Sequence, residues 1–439
     1  MIQLQLNPFH HVRPLHLNAI TAAAGTLLLI AIASIISGCD AQPVPTVAPS
    51  VTEDARPTAT PLPPPPEWRE ASEPITLENI VQLERLGVLS VPEGSGTIYG
   101  YAVSPDNTQL AALNESWLLA WDLISGEPLF RTTRQGESQL FYSPAKDELY
   151  GLVSSGGVYI YDSTTGTEIG ALPPPIGFSE SGFSGAFDFH HDSASLALGL
   201  ENGDIIVWNL MDPQEPLLLT HSGAASRVFD LTFSADGEAL AAVYGLEQDN
   251  RVWLWNWREN SRLTDVELGS VNPSDPVTDL ELSPDGRFLV GAGMNHAVIW
   301  DMATGALLHQ LALQPGSGGL LFQFIPESHL LLTGGAGSNI QLWDVERGTI
   351  VATLPDTESN PETLTPIGAA ASPDGQLMFT AKLDQPVILW NLANLASGNI
   401  ARSAQPFGSS SIFDILWTSD NFSVLMIDAR GPVEVWGIP

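Results

Sequence analysis

The chain has 439 residues, 50 acidic against 16 basic side chains, a formal net charge of −34, and one cysteine. The imbalance comes from missing cations, since lysine occurs only at 146 and 382, and so cation-poor a surface cannot neutralise a run of phosphates or form a polybasic membrane patch. One cysteine also excludes an intramolecular disulfide, a zinc knuckle and a Cys-x-x-Cys redox pair.

The chain opens with a weakly basic segment carrying Arg13 and three histidines, then an apolar run from Ala19 to Ile36 that ends in Ser37-Gly38-Cys39-Asp40. That order is the order of a secretory signal: basic region, hydrophobic region, small residues before a cut. Ile36-Ser37-Gly38-Cys39 resembles the bacterial lipobox, whose cysteine becomes the lipid-modified first residue of the mature protein. The resemblance implies a signal peptide over 1–38, lipid attachment at Cys39 and a place on the outer face of the bacterial cell membrane. An uncleaved span is the alternative, because about 18 apolar residues just cross a bilayer.

Residues 39–75 are expected to be a Pro- and Thr-rich disordered linker. Asp40 to Pro66 holds nine prolines and almost nothing large and apolar, too little buried surface to offset chain entropy. In polyproline II geometry this stretch reaches roughly 80 Å. A short helix is then predicted, with Thr76 as N-cap and Ile75 and Ile80 as a hydrophobic staple, followed by an apolar strand over Leu83 to Val91.

From there a repeat takes over. Trp121-Asp122, Tyr161-Asp162, Trp208-Asn209, Trp255-Asn256, Trp300-Asp301, Trp343-Asp344, Trp390-Asn391 and Trp436-Gly437 follow one another at 40 to 47 residues. Each ends an alternating segment such as IIVWN or IQLWD, the period-2 pattern of a half-buried strand. Upstream lie another strand and a turn such as Ser283-Pro284-Asp285-Gly286; downstream come a turn and a last apolar strand. Each unit is therefore four short antiparallel strands.

The fifth unit, PVTDLELSPDGRFLVGAGMNHAVIWDMATGALLHQL, resembles the WD40 repeat along its whole length, and the resemblance extends with decay over 91–439. In the fourth unit His221, Asp249 and Trp255 fall at the positions of that family's buried hydrogen-bonded triad. The other units lack the loop histidine, so apolar packing between blades is expected to carry more of the stability. The resemblance implies an all-β fold, a β-propeller of radial four-stranded blades. Eight units end in the Trp-Asp position, but only three residues follow Trp436, so the last unit lacks its outer strand. The strand at 83–91 has no unit of its own. The expected fold is thus an eight-bladed propeller over 76–439, closed by that N-terminal strand.

No P-loop, Gly-x-Ser-x-Gly elbow or His-Glu-x-x-His occurs, and the scattered carboxylates form no calcium loop. His190, His191, His221, His296, His309 and His329 read as turn or packing residues, and the repeated tryptophans as blade core. No enzyme activity, cofactor or metal is expected. The longest blade-to-blade connections carry Phe178, Glu180 and Phe183 before blade three and Asp356, Glu358 and Glu362 before blade seven. Blade four adds Gln248 and Asp249 in a longer hairpin. These are the candidate partner-binding residues, because loops on a rigid scaffold carry function. The resemblance implies a non-catalytic, monomeric platform for a protein or peptide partner; the charge favours a cationic one and disfavours nucleic acid. A lactonase- or quinoprotein-type propeller with a channel-mouth site, and an envelope-assembly scaffold, remain as alternatives. The charge is also compatible with work in an acidic exterior, where protonation relieves self-repulsion.

Overall fold

The computed structural model describes residues 68–91, 98–143, 146–153, 157–175, 182–190, 194–220, 227–245, 251–268, 275–314, 321–334, 339–354, 367–382, 387–393, 401–402, 412–428 and 432–439. The signal segment, Cys39 and the proline-rich stretch lie outside them. Within them the chain forms eight four-stranded antiparallel sheets. Seven are continuous in sequence, over 100–133, 137–171, 183–219, 228–268, 279–312, 321–354 and 367–402. The eighth takes Ile412–Trp417, Ser423–Asp428 and Val433–Gly437 and completes itself with Glu84–Leu89. Among the described residues no helix is long and apolar enough to cross a membrane.

The core lies between blades. Alternation along a strand sends successive side chains to opposite faces of its sheet, and both faces of every blade are covered. In blade one, Leu110 and Ala112 join Leu416 and Leu425 of blade eight, whereas Ala111 and Leu113 join Leu140 and Leu149 of blade two. The same division recurs round the ring, giving one buried cluster per seam. Small residues at the alternating positions let neighbouring sheets approach closely.

Closure follows the sequence expectation. Glu84–Leu89 pairs antiparallel with Val433–Gly437, from Glu84 opposite Gly437 to Leu89 opposite Val433. Leu86 and Leu89 are buried. The helix expected after Thr76 is instead one 3-10 turn, Ile80–Gln82, because Leu83 is already extended at ψ 121°. The residue capping that turn is Asn79 rather than the expected Thr76; the two are linked by the Thr76 N–H donating to Asn79 Oδ1 at 2.7 Å and the Asn79 N–H to Thr76 Oγ1 at 3.4 Å. The staple survives, with Ile75 buried and Ile80 packed against the same cluster.

Among the described residues the ring's contacts begin at Trp68, earlier than the expected boundary at 76. Ser72 N–H donates to the Ile438 carbonyl at 2.7 Å, Glu73 bridges Ile438, and the Ile75 N–H donates to the Asn421 carbonyl at 2.7 Å. Trp68 donates its indole N–H to the Ile124 carbonyl in blade one at 2.7 Å. Its ring lies where a Cβ on Gly87 or Gly126 would stand, 2.3 and 2.1 Å from the nearest ring atom. Gly126 also has φ +70°, so only glycine suits that turn. Residues 68–75 are therefore a strap across the seam between blades eight and one, because backbone acceptors left open at the C-terminus need donors.

That seam also holds a buried acid. Asp414 accepts the Ile415 N–H at 2.8 Å and the Tyr101 hydroxyl of blade one. Burial, opposed by those two hydrogen bonds, pushes its carboxyl up to about 6. The unfolded chain, with an ordinary carboxyl, loses its proton first as pH rises. The stabilising contribution is thus complete below about pH 4 and is lost as pH climbs toward 6. At about 1.4 kcal/mol per unit the loss is about 3 kcal/mol. Urea unfolding of the wild type and Asp414→Asn is expected to show the wild type falling by about 2–3 kcal/mol relative to the variant between pH 4 and 7. A difference independent of pH would contradict this account.

Deleting 68–91 exposes the edge of Val433–Gly437 and removes Ile75, Leu83, Leu86 and Leu89 from the core. At about 1.5–3 kcal/mol per buried side chain and about 2 °C per kcal/mol, Tm is expected to fall by roughly 10–20 °C, measured by calorimetry. Deleting the proline-rich stretch is expected to leave Tm unchanged, and equal losses from the two deletions would refute closure by the N-terminal strand.

Candidate interaction surfaces

Strand order gives the ring two unlike rims. Turns from innermost to second strand and from third to outer strand emerge on one rim, the turn rim. Hairpins from second to third strand and the blade-to-blade connections emerge on the opposite rim, the loop rim.

The turn rim is built by two repeated devices. In the first turn a hydroxyl donates to an aspartate two residues on: Ser104 to Asp106 and Ser234 to Asp236 at 2.6 Å, Ser283 to Asp285 at 2.7 Å, Ser372 to Asp374 at 2.5 Å and Thr418 to Asp420 at 2.6 Å. The residue after the aspartate takes φ between 59° and 71°, as Asn107, Gly237, Gly286, Gly375 or Asn421, which explains the recurring Asp-Gly and Asp-Asn. In the second turn the Asp or Asn of the Trp-Asp dipeptide accepts backbone N–H groups ahead of it. Asp122 takes Ile124 and Ser125 at 2.9 and 2.7 Å, and Asp301 takes Thr304 at 2.9 Å. In blade eight, whose outer strand is Glu84–Leu89, the dipeptide is Trp436-Gly437.

These contacts favour ionised carboxyls. At Asp106 and Asp285 burial opposes ionisation, but the hydrogen bonds from Ser104 and Thr108, and from Ser283, Arg287 and His329, hold the carboxyl below its ordinary value. Asp162 is lowered first by the Thr164 hydroxyl, Asp236 by Ser234 and Asp301 by Thr304. The turn rim therefore keeps its negative charge into mildly acidic pH. Its cations are spent locally, as in Arg287–Glu346 at 2.8 Å and Arg258–Glu238 at 3.0 Å.

The aromatic repeat positions Trp121, Tyr161, Trp208, Trp255, Trp300, Trp343 and Trp390 are buried, and Trp436 partly so. Trp208 donates to the Pro173 carbonyl at 2.8 Å, whereas two of the indoles find their acceptor on the neighbouring second strand, two residues beyond the pairing partner. There Thr333 and Thr380 accept from Trp343 and Trp390 at 3.0 and 2.9 Å. The equivalent residue opposite Trp255 is Ala242, and the Trp255 Nε1 is buried without a hydrogen-bond partner. The triad expected in blade four thus lacks its tryptophan link, while His221 and Asp249 lie outside the described residues. Sequence reasoning missed Thr333 and Thr380; a threonine inside a strand at a fixed offset from the tryptophan was the available signal. In blade two Gly151 occupies that place and leaves room for Glu137, fully buried, which accepts the Tyr161 hydroxyl.

Histidines act at seams. His190 donates to the Ala235 carbonyl at 3.1 Å, His309 to the Glu346 carbonyl at 3.0 Å and His329 to Asp285 at 2.8 Å, each across to a neighbouring blade. His296 pairs through Nδ1 with Asp275 at 2.9 Å, and Asp275 also accepts Met294 and Asn295 N–H groups. Among the described residues no group of three or more His, Cys, Asp or Glu stands ready to hold a metal. Of the loop-rim candidates, Phe183 is described: it opens the innermost strand of blade three opposite Leu200 and packs, half-buried, on the cluster between blades two and three. Phe178, Glu180, Asp356, Glu358, Glu362, Gln248 and His191 lie outside the described residues.

The threonine acceptors make a measurable claim. Thr333→Val keeps the shape and leaves a buried indole N–H unpaired, which is expected to cost about 1–3 kcal/mol in urea unfolding. A change below about 0.5 kcal/mol would mean that the hydrogen bond contributes nothing net.

No protein-family model matches the chain. Over 117 residues it is 32% identical to WD repeat and SOCS box-containing protein 1 of Xenopus tropicalis, a match covering 26% of this chain and 26% of that one. Over 205 residues it is 25% identical to apoptotic protease-activating factor 1 of Mus musculus, covering 45% of this chain and 15% of that one. The chain thus spans about a quarter or less of the length of these relatives. Among solved structures, the computationally designed Ika8 protein aligns with a TM-score of 0.59 at 20% identity, over 80% of this chain and 99% of that one. The C-terminal WD40 domain of Sif2 aligns with a TM-score of 0.59 at 17% identity, over 81% and 98%. The eight four-stranded sheets and their closure make the chain an eight-bladed β-propeller, a fold it shares with these solved structures.

Proposed function

We propose that this chain is a membrane-tethered, extracytoplasmic propeller that serves as a non-catalytic platform for a protein or peptide partner. The observation that carries the reading is how the polar side chains are spent. Described histidines and turn aspartates serve seams and turns, and what the described residues offer outward is a rigid, strongly negative surface. Such a surface attracts cationic partners and speeds their encounter. WD40 propellers act commonly as protein-interaction platforms, and the likeness to WD repeat and SOCS box-containing protein 1 supports the same use here.

The tether rests on the sequence, in which the apolar run ends at Cys39. The strap at 68–75 lies on the turn rim beside the C-terminus, so a chain held through its N-terminus meets the membrane side with that rim. The loop rim then has the freer approach to partners.

Crosslinking in intact cells, followed by identification of neighbours, tests the platform. Proteins with basic surfaces are expected among the products, and their capture is expected to weaken at high salt. Cys39→Ser is expected to move the chain from the membrane to the soluble fraction; full retention in the membrane would leave an uncleaved span as the anchor.

A further inference from the structure

The last strand of a sheet presents unpaired N–H and C=O groups to any chain that can lie beside it, and natural edges are blunted by shortness, charge or proline. Six of the eight outer strands follow that rule. Pro128–Thr133 begins with proline and carries Arg131; Glu168–Ala171, Leu217–Leu219 and Ala401–Arg402 have four, three and two residues. Ser261–Leu268 carries Arg262, Asp265 and Glu267, and Glu84–Leu89 carries Glu84 and Arg85. Leu307–Ala312 of blade five and Thr349–Leu354 of blade six break the rule: each has six residues without Lys, Arg, Asp, Glu or Pro.

Blade five presents the more open of the two. Leu307, Leu308, Gln310 and Ala312 are exposed, Leu307 by 53%, whereas blade six half-buries Val351 and Ala352. The bulge beside Trp300 makes Leu308 the extra residue and leaves residues 309–312 in regular register. The Leu313 N–H donates to the Asn295 carbonyl at 2.9 Å, and bonded pairs alternate along an antiparallel ladder. Leu311 opposite Ala297 and His309 opposite Ile299 therefore turn their backbone groups into the sheet, and Gln310 and Ala312 direct their N–H and C=O groups away from it. Among the described residues no strand takes them up. Leu307 stands opposite Trp300 and Gln310 opposite Val298, so both lie on the face by which Trp300 and Val298 pack against blade four.

We propose that this edge takes an extended cationic segment of the partner as a fifth strand of blade five. The inference rests on the platform reading and names its site and mode. Backbone pairing with Gln310 and Ala312 supplies affinity, and alternate side chains of the segment supply specificity. Apolar ones lie on the blade-four face beside the exposed Leu307; basic ones lie on the opposite face, where His309 reaches Glu346 of blade six. Charge selects the occupant. The strand has no cation to oppose a basic segment, and the body around it has a net charge of −34, which attracts a cationic chain and repels a second copy of this one.

The test is fluorescence anisotropy on the full chain in detergent at neutral pH, with labelled octapeptides of alternating lysine and valine and of alternating glutamate and valine. The lysine-valine peptide is expected to bind the wild type, and the glutamate-valine peptide to fail. Gln310→Pro removes an N–H that serves no bond within the sheet, a change that an edge accepts, so Tm is expected to hold while Kd rises at least about ten-fold. Ala312→Lys leaves the backbone donors in place and is expected to weaken the peptide similarly by like-charge repulsion; Thr353→Pro on blade six is expected to leave Kd unchanged. No binding by the wild type, equal binding of the two peptides, or an unchanged Kd in both blade-five variants overturns the site. A wild-type dimer in sedimentation equilibrium that Gln310→Pro abolishes assigns the edge to a second copy and overturns the partner strand. Crosslinking in cells separates the two readings. Capture of basic neighbours by Gln310→Pro as by the wild type overturns the edge and leaves the platform; no basic neighbours, with the peptide still weakened by Gln310→Pro, removes the platform and leaves the edge standing.

Discussion

The constraint on which the structure depends is the open edge. A four-stranded sheet standing radially has an innermost strand whose second edge faces no further strand, and its N–H and C=O groups still require partners. Here side chains of neighbouring blades supply them. Asp188 in blade three accepts the Phe233 N–H of blade four at 2.8 Å, and Asp230 in blade four accepts the Leu280 N–H of blade five at 2.7 Å. Gln323 and Trp417 donate to the Ala369 and Ala370 carbonyls of blade seven at 3.2 and 3.0 Å. At these seams one blade completes its neighbour, so the stability of the ring depends on its closure.

Closure concentrates cost and support at one seam. Between blades eight and one the inner acid, Asp414, meets a hydroxyl, Tyr101, rather than a backbone N–H of the next blade, and burial raises its carboxyl. The same seam receives the N-terminal strand, the Trp68 strap, and a reciprocal contact in which Asn107 Nδ2 donates to Ser419 Oγ at 2.9 Å and the Ser419 N–H donates to Asn107 Oδ1 at 3.0 Å. Joining the two chain ends is an entropic burden, and these contacts offset it where it falls.

The deficit of cations acquires a structural meaning through the same accounting. Many turn-rim carboxylates are turn caps whose charge is stabilised by hydroxyl and amide donors, so they need no counter-cations. The arginines that the chain retains brace acids locally, as Arg287 does Glu346, with Arg131 and Arg134 standing apart on aromatic supports. Net charge alone indicates the sign of a preferred partner.

Much of the fold was legible because repeats state their pattern many times. The Trp-Asp spacing, the Ser-x-Asp-Gly turns and the unpaired strand at 83–91 determined the blade count and the means of closure, since period-2 alternation and turn chemistry are local properties of the chain. Local properties also marked the apolar run and Cys39. What tertiary structure decided were relations between residues far apart in sequence. Thr333 reads as an ordinary strand residue until the Trp343 indole is laid beside it. Trp255 reads as a triad member until Ala242 is found at the place from which Thr333 and Thr380 accept the indoles of blades six and seven. Residues 68–75 read as linker until the C-terminus offers them open acceptors. Composition and periodicity record what a residue is and how often it recurs, whereas hydrogen-bond partners and free charges are settled by which surfaces the closed ring brings together.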